Sequence, residues 1–68
     1  MTNSNMLKSL IKDSGVSLTY IAGKLGITRY AIYKKLDNKS EFKASEIVAL
    51  KKVLHLTNEQ VDEIFFNE

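Results

Sequence analysis

Four side chains that bind anions or exchange hydrogen bonds lie within six positions of one another: Arg29, Tyr30, Tyr33 and Lys34. The guanidinium and the ammonium attract negative charge, and the two phenols both donate and accept hydrogen bonds. These residues follow Gly26, which interrupts what would otherwise be one helix. A helix that only needed to be solvated would not require this combination, so the segment after Gly26 is the first candidate for a contact surface.

The charge of the chain is unevenly distributed along the sequence. Residues 1–43 contain eight basic and three acidic residues, a net charge of +5, whereas residues 44–68 contain two basic and five acidic residues, a net charge of −3. This asymmetry suggests one surface that meets an anionic partner and another that does not. The alternative interpretation is a solvated surface without a partner, since such asymmetry also arises there.

Length and residue types argue against an enzyme or a metal protein. The chain has 68 residues, no cysteine and one histidine, His55, so we expect no disulfide, no zinc site and no large buried active site. No spacing of serine, histidine and carboxylate residues suggests a catalytic group, and no glycine-rich loop suggests a phosphate cradle. We therefore expect no enzymatic activity, no cofactor and no small-molecule substrate, and we interpret His55 as an exposed residue near a helix dipole.

Nothing in the sequence resembles a membrane anchor or a signal peptide. The longest apolar runs are a few residues, far below the roughly 20 residues that cross a bilayer, and residues 1–5 are polar. We expect a single domain over residues 1–68, located in the cytoplasm and without a membrane partner.

The spacing of apolar residues and the capping residues predict an all-α fold of five short helices. The predicted segments are 4–14, 18 to 24 or 25, 29–37, a fourth helix opening at 43–46 and closing at 55–56, and a fifth helix after residues 57–60. Gly15 and Gly26 suit left-handed C-caps, and Ser17 and Thr28 suit N-caps. Thr57 begins a capping box, because a glutamine follows three residues later.

We expect the core to be completed from two further segments. Phe42 returns the loop after the third helix to the interior, and the fourth helix has an apolar stripe of Ile47, Leu50, Val53 and Leu54. On the fifth helix, Phe65 and Phe66 point about 100° apart, so one helix face cannot bury both rings in a small core. One ring is expected to be exposed and available to a partner. The alternative is that the end of the chain curls over and Phe66 covers the bottom of the core.

Ala22, Gly26 and Ile32 have the spacing that two steeply crossing helices require. A small residue lets the backbones approach, a glycine makes the tight turn, and a β-branched residue pins the second helix onto the first. With these positions buried, the outward face of the third helix is left with the two tyrosines, the arginine and the lysine described above.

Residues 17–36, and more loosely residues 7–64, resemble the helix-turn-helix family of phage Cro proteins and lambda-type repressors, in which five helices form the DNA-binding domain. The alanine, glycine and isoleucine just described match the small, glycine and β-branched positions of that motif, and the segment Asn38–Phe42 resembles the loop after its recognition helix. The resemblance implies a compact five-helix domain of the lambda-repressor-like type, with the helix-turn-helix in helices two and three.

Two positions depart from the family pattern. The cap Ser17 is followed by Leu18, where the family usually has a glutamine that contacts phosphate. The apolar residue that closes the recognition helix would be expected at position 35, which is a lysine here, and it is found one residue later as Leu36. A different winding or tilt is therefore expected at the end of the third helix.

The resemblance implies that the third helix, about residues 28–37, enters the major groove and that Arg29, Tyr30 and Lys34 read bases. Arg29 would form a bidentate pair with guanine, Tyr30 would contact a thymine methyl group or a phosphate, and Lys34 would reach a base acceptor further along the helix. Tyr33 is assigned to base-edge or backbone contact. The alternative is that the tyrosine rings are half-buried with their hydroxyl groups exposed to solvent, and that Lys34 and Lys35 form a solvated face.

Phosphate contacts are expected to position the domain without reading sequence. Ser17 and Thr28 lie at predicted helix N-termini, where hydroxyls, free amides and the helix dipole favour an anion. Lys39 and Ser40, in the loop after the third helix, are further candidates.

The most specific interpretation is a small Cro-like transcriptional repressor of a phage or prophage. It would bind double-stranded operator DNA as a homodimer, with Phe65 and Phe66 at the dimer interface, and would occlude RNA polymerase. The antitoxin of a toxin–antitoxin pair is a second interpretation, although the tail after the fifth helix is short. A protein interaction module that keeps the fold without binding DNA is a third.

Overall fold

A computed structural model of the protein describes residues 1–66, and over these residues the chain forms helices and no strands. The five α-helices are α1 (Ser4–Ser14), α2 (Leu18–Leu25), α3 (Arg29–Leu36), α4 (Ala44–Leu54) and α5 (Asn58–Val61), and α5 continues into a π-helical segment, Asp62–Phe66. The predicted all-α class is confirmed. In this part of the chain, no helix combines the length and the apolar character needed to cross a bilayer.

At the starts of α2, α3 and α5, the capping serine or threonine side chain accepts a hydrogen bond from a helix amide, as the sequence predicts. The Ser17 hydroxyl accepts the Tyr20 amide and the Thr28 hydroxyl accepts the Ala31 amide, both at 3.1 Å. At α5 the Thr57 hydroxyl accepts the Gln60 amide at 3.0 Å, and the Gln60 side chain accepts the Thr57 amide at 2.9 Å. These bonds satisfy amide groups that have no partner inside the helix, and they fix where α2, α3 and α5 begin.

The turn between α2 and α3 depends on the backbone conformation of Gly26. Gly26 has φ +73° and ψ +29°, in the left-handed region, and its amide donates to the carbonyl groups of Ala22 and Gly23. Only residues 26–28 separate the two helices. A side chain at position 26 would place strain on this conformation, because a Cβ atom crowds the following carbonyl oxygen.

Gly26→Ala is expected to lower the free energy of unfolding by about 1 to 2 kcal/mol, the cost of a left-handed alanine. Gly23→Ala is the matched control, because it lies inside α2 with an ordinary φ. A Cβ atom would meet no atom within 4 Å at either site, so only the backbone conformation distinguishes them. Gly23→Ala is expected to stabilise the protein by about 0.5 to 1 kcal/mol. Urea unfolding measures both, and two changes of the same sign would contradict this account.

One hydrophobic cluster receives residues from the helices and from the loops after α3 and α4. Its buried apolar members are Leu7, Ile11, Ile21, Ala22, Ile32, Leu36, Phe42, Leu50, Leu56 and Ile64. The predicted burial of Phe42 is confirmed, and its ring packs edge-on against Phe65 with 5.5 Å between ring centroids. Of the stripe predicted on α4, Leu50 is fully buried, and the three other residues pack against the cluster while remaining partly exposed.

The predicted end of the third helix is wrong. Helix α3 ends at Leu36, one residue before the predicted end, and Asp37 is its C-cap. The next residue, Asn38, has φ +60°, and its side chain accepts from the Thr2 amide and donates to the Thr2 carbonyl, so the chain leaves the helix there. This conformation is one that asparagine tolerates better than most residues.

The fifth helix is α-helical only over its first four residues. From Asp62 onward it is π-helical, a wider winding with hydrogen bonds from residue i to i+5. The Ile64 side chain is fully buried, and the Ile64 carbonyl accepts the Asn3 amide at 2.7 Å. The wider turn therefore accompanies contacts with residues far away in sequence, which helical periodicity alone does not contain.

Candidate nucleic-acid interface

The positions predicted to hold α2 against α3 are buried together. Ala22 and Ile32 are 4% and 0% exposed, and the Ile27 amide donates to the Ala22 carbonyl at 3.0 Å. Helix α3 is thereby fixed through its inner face, by Ile32 and by Leu36, which is also buried. The opposite face of α3 is left to solvent.

The four residues singled out on α3 are all exposed, as the sequence predicts. They are Arg29, Tyr30, Tyr33 and Lys34, and the exposed fractions of Tyr30 and Tyr33 are 72% and 45%. The interpretation of these two tyrosines as half-buried rings therefore fits Tyr33 and does not fit Tyr30. Large aromatic side chains that remain this exposed suggest a contact surface.

The four residues form two cation–aromatic pairs, each joining positions four residues apart on α3. The Arg29 Cζ lies 5.8 Å from the centroid of the Tyr33 ring, and Arg29 Nη2 donates to the Tyr33 hydroxyl at 3.2 Å. The Lys34 ammonium lies 5.5 Å from the centroid of the Tyr30 ring. Exposed pairs of this kind contribute about 0.5 to 1 kcal/mol. The i, i+4 spacing of these residues is the signal in the sequence that indicates such pairs.

The candidate phosphate contacts come from the ends of α2 and α3. The hydroxyl groups of Ser17 and Thr28 accept helix amides, so each hydroxyl hydrogen remains available to donate to an anion. Lys39 and Ser40 are exposed in the loop after α3. The Lys39 amide donates to the Lys34 carbonyl at 2.9 Å, which keeps this loop against the end of α3.

Lys35 is not part of a solvated face, so that interpretation is wrong for this residue. It is 8% exposed, and its ammonium lies 2.9 Å from Glu46 Oε1 and donates to the Glu41 carbonyl at 2.9 Å. The same Glu46 oxygen accepts the Lys43 amide at 2.8 Å. Lys35 therefore ties the end of α3 to the following loop and to the first turn of α4.

Lys35 and Leu36, neighbours at the end of α3, are both buried. Ile32, Lys35 and Leu36 follow the i, i+3, i+4 spacing of an inner helix face, and this spacing is the signal that points to a buried position 35. An ammonium is buried only when paired, and Glu46 provides the pair.

The environment of Glu46 favours its charged form. Burial raises the pKa of the Glu46 carboxyl, but the Lys43 amide and the Lys35 ammonium lower it by more, and the net pKa lies below the ordinary value of 4.5. Glu46 is therefore ionised at neutral pH, and its negative charge compensates the positive charge of Lys35.

Phe65 and Phe66 differ in their exposure, as the sequence predicts for adjacent positions. Phe65 is partly buried against Phe42, whereas Phe66 is 64% exposed. The sequence left two possibilities open, an exposed ring or a Phe66 that covers the bottom of the core. The Phe66 ring is exposed in the structure. The two rings line a groove of about 200 Å³ together with residues that include Ile47 and Met1.

His55 is exposed and is the C-cap of α4, with φ +54°. Within residues 1–66, no cluster of three or more histidine, cysteine, aspartate or glutamate residues is placed to hold a metal ion. The candidate site is thus made of α3, its caps and the loop that follows.

Comparison of this chain with protein-family models, with curated proteins and with solved structures gives no match. Its function is therefore inferred from the outward face of α3 and from the residues that hold that helix in place.

Proposed function

We propose that this chain is a sequence-specific double-stranded DNA-binding protein, a small Cro-like repressor of a phage or prophage. Helices α2 and α3 form its helix-turn-helix, and α3 with its caps, residues 28–37, enters the major groove. One observation carries the proposal: with Ala22 and Ile32 buried, an arginine, a lysine and two tyrosines lie exposed together on the outward face of α3.

The chemistry of this face suits base edges in the major groove. Arg29 offers a planar set of donors that matches guanine O6 and N7, a contact that contributes about 1 to 3 kcal/mol of discrimination. Tyr30 provides an apolar ring for a thymine methyl group and a hydroxyl for a phosphate. Lys34, one turn further along α3, reaches an acceptor deeper in the site.

The phosphate contacts fix the register of the domain on the duplex. Ser17 and Thr28 offer hydroxyl hydrogens at helix N-termini, and Lys39 and Ser40 extend this surface beyond the end of α3. The net charge of +5 over residues 1–43 strengthens the attraction to the phosphate backbone.

Salt titration tests whether the protein binds duplex DNA through phosphates. The affinity for duplex DNA is expected to fall steeply as salt rises, with about 0.9 in the slope of log affinity against log salt for each phosphate neutralised. Lys39→Gln is expected to reduce that slope by about one unit. Lys52→Gln, an exposed lysine on α4, is the matched control and should leave the slope unchanged. Absence of duplex binding in dilute buffer would refute the proposal.

We propose that two copies bind a two-fold operator, with Phe65 and Phe66 at the dimer interface. The observation that favours association is the Phe66 ring, which is 64% exposed and borders a groove that Phe42, Ile47 and Phe65 also line. In sedimentation experiments, Phe66→Ala is expected to shift the protein toward the monomer. Val48→Ala removes an apolar side chain that is 53% exposed on α4 and should leave the mass unchanged. An equal mass for the parent and Phe66→Ala would contradict this interface.

The exposed Phe66 also favours a second candidate, a protein interaction module that has this fold and does not bind DNA. An antitoxin would combine such a contact with DNA binding. The salt titration separates the interaction module from the two DNA-binding functions, because an interaction module gives no shift of a duplex at any salt concentration.

A further inference from the structure

The contact between Arg29 and Tyr33 differs from the other cation–aromatic contacts on the two helices. Lys24 lies over Tyr20 on α2 and Lys34 lies over Tyr30 on α3, at 5.4 and 5.5 Å from the ring centroids. Within residues 1–66, the Arg29 pair alone adds a hydrogen bond from the cation to the tyrosine hydroxyl. The guanidinium thus lies over the ring, and one of its nitrogens donates to the hydroxyl.

Tyr33 is itself more restricted than the other tyrosines. Its exposed fraction of 45% is lower than that of Tyr20 or Tyr30. Its ring lines an apolar groove with Ile11, Leu18 and Leu36, residues of α1, α2 and α3. Tyr33 therefore connects the packed part of the domain with Arg29.

This contact leaves the guanidinium free to bind a base. Arginine has five N–H donors, Tyr33 takes one of them, and a bidentate contact with guanine requires two. An unrestrained arginine loses much rotamer freedom when it binds, and a restraint already present in the free protein removes part of that loss.

We infer that Tyr33 is a positioning residue for Arg29, and that its hydroxyl sets the preference for guanine at the base that Arg29 contacts. Tyr33 then acts through Arg29 and does not read a base itself. This inference rests on the proposed function, since it requires that α3 enters the major groove.

Replacement of guanine by 7-deazaguanine removes the N7 acceptor and tests the inference in the complex. The protein first selects a bound sequence from a library of random duplexes. In that selected duplex, one guanine at a time is replaced, and the loss of affinity is measured for each protein variant. The parent is expected to lose about tenfold at one guanine, from the discrimination typical of a bidentate contact. Arg29→Ala should show no loss at that base, and Tyr33→Phe should show a clearly smaller loss than the parent. Tyr20→Phe, the matched control on α2, should keep the full loss.

A measurement without DNA tests the restraint itself. Relaxation of the Arg29 side-chain N–H signal by NMR is expected to report an ordered guanidinium in the parent and in Tyr20→Phe, and a more mobile one in Tyr33→Phe. A side chain that is equally mobile in the three proteins would overturn the inference.

The outcomes separate this inference from the function on which it rests. Duplex binding with a full 7-deazaguanine loss in Tyr33→Phe would refute the positioning role and leave the proposed function standing. A selected site that contains no guanine sensitive to the replacement would also refute the positioning role alone. Failure of the parent to bind any duplex would refute both.

Discussion

Replacement of Lys35 by methionine alone is expected to lower the free energy of unfolding by about 3 kcal/mol or more, the usual effect of removing one partner of a buried ion pair. The Glu46 carboxylate would remain, with a side chain only 6% exposed and without its counter-charge. Lys34→Met, a change of the same kind at the exposed neighbouring position, should lower the free energy of unfolding by no more than about 1 kcal/mol, the contribution of its exposed contact with Tyr30. Urea unfolding measures both variants.

The double replacement Lys35→Met with Glu46→Met is expected to recover most of the lost stability. An apolar pair of similar volume often replaces a buried ion pair at little cost. The Glu41 carbonyl and the Lys43 amide, which the pair binds, belong to exposed residues and can bind water instead. If Lys35→Met alone were as stable as the parent, the pair would not be the link between α3 and α4 that its geometry indicates.

The same pair predicts a dependence of stability on pH. Because the folded-state pKa of Glu46 lies below its ordinary value of 4.5, the carboxylate contributes stability that is fully present above about that pH. The contribution is lost as the pH falls below 4.5 and through the lower folded-state pKa. The double methionine variant lacks this carboxylate, so its stability is expected to fall less over the same range than that of the parent.

Replacement of both Arg29 and Lys34 by alanine is expected to abolish sequence preference while the protein remains folded. Each side chain is exposed on the outward face of α3, so stability should fall by no more than about 1 kcal/mol per site, the contribution of its exposed contact with a tyrosine. The loss of Arg29 alone should remove about 1 to 3 kcal/mol of discrimination at one base pair. The measurement compares the affinities for the selected duplex and for a scrambled duplex at the same salt concentration.

The matched control for this pair of substitutions is Lys12→Ala with Lys24→Ala. It also removes two positive charges from exposed positions, and neither position lies on α3. It is expected to weaken the binding of the selected and the scrambled duplex to a similar extent, because general attraction to phosphates is independent of sequence. If the control removed as much preference as the α3 variant, base reading by Arg29 and Lys34 would be refuted.

The parts of the structure that depend on local rules could be predicted from the sequence. The caps at Ser17 and Thr28 and the left-handed Gly26 each depend on a few adjacent residues, and all are found where predicted. The inner face of α3 was predicted for Ile32 and missed for Lys35. The helical spacing points inward at both positions, but the charge of a lysine favours solvent unless a partner is present.

Features that depend on distant residues could not be predicted. Burial of Lys35 requires a glutamate 11 positions later in the sequence, at a distance set by how α4 packs. The π-helical segment Asp62–Phe66 contacts Asn3, about 60 positions earlier, through the Ile64 carbonyl. The i, i+4 spacing allows a hydrogen bond from Arg29 to Tyr33, but the rotamers of both side chains determine whether it forms.

Selection of bound sequences from a library of random duplexes tests the central claim most directly. The purified protein is expected to enrich a short motif, repeated with two-fold symmetry and with half-sites about one helical turn apart or a multiple of that distance. The variant that lacks Arg29 and Lys34 should retain duplexes without enriching any motif. Recovery of no motif by the parent protein, or of no duplex at all in dilute buffer, would contradict the claim that the outward face of α3 reads DNA.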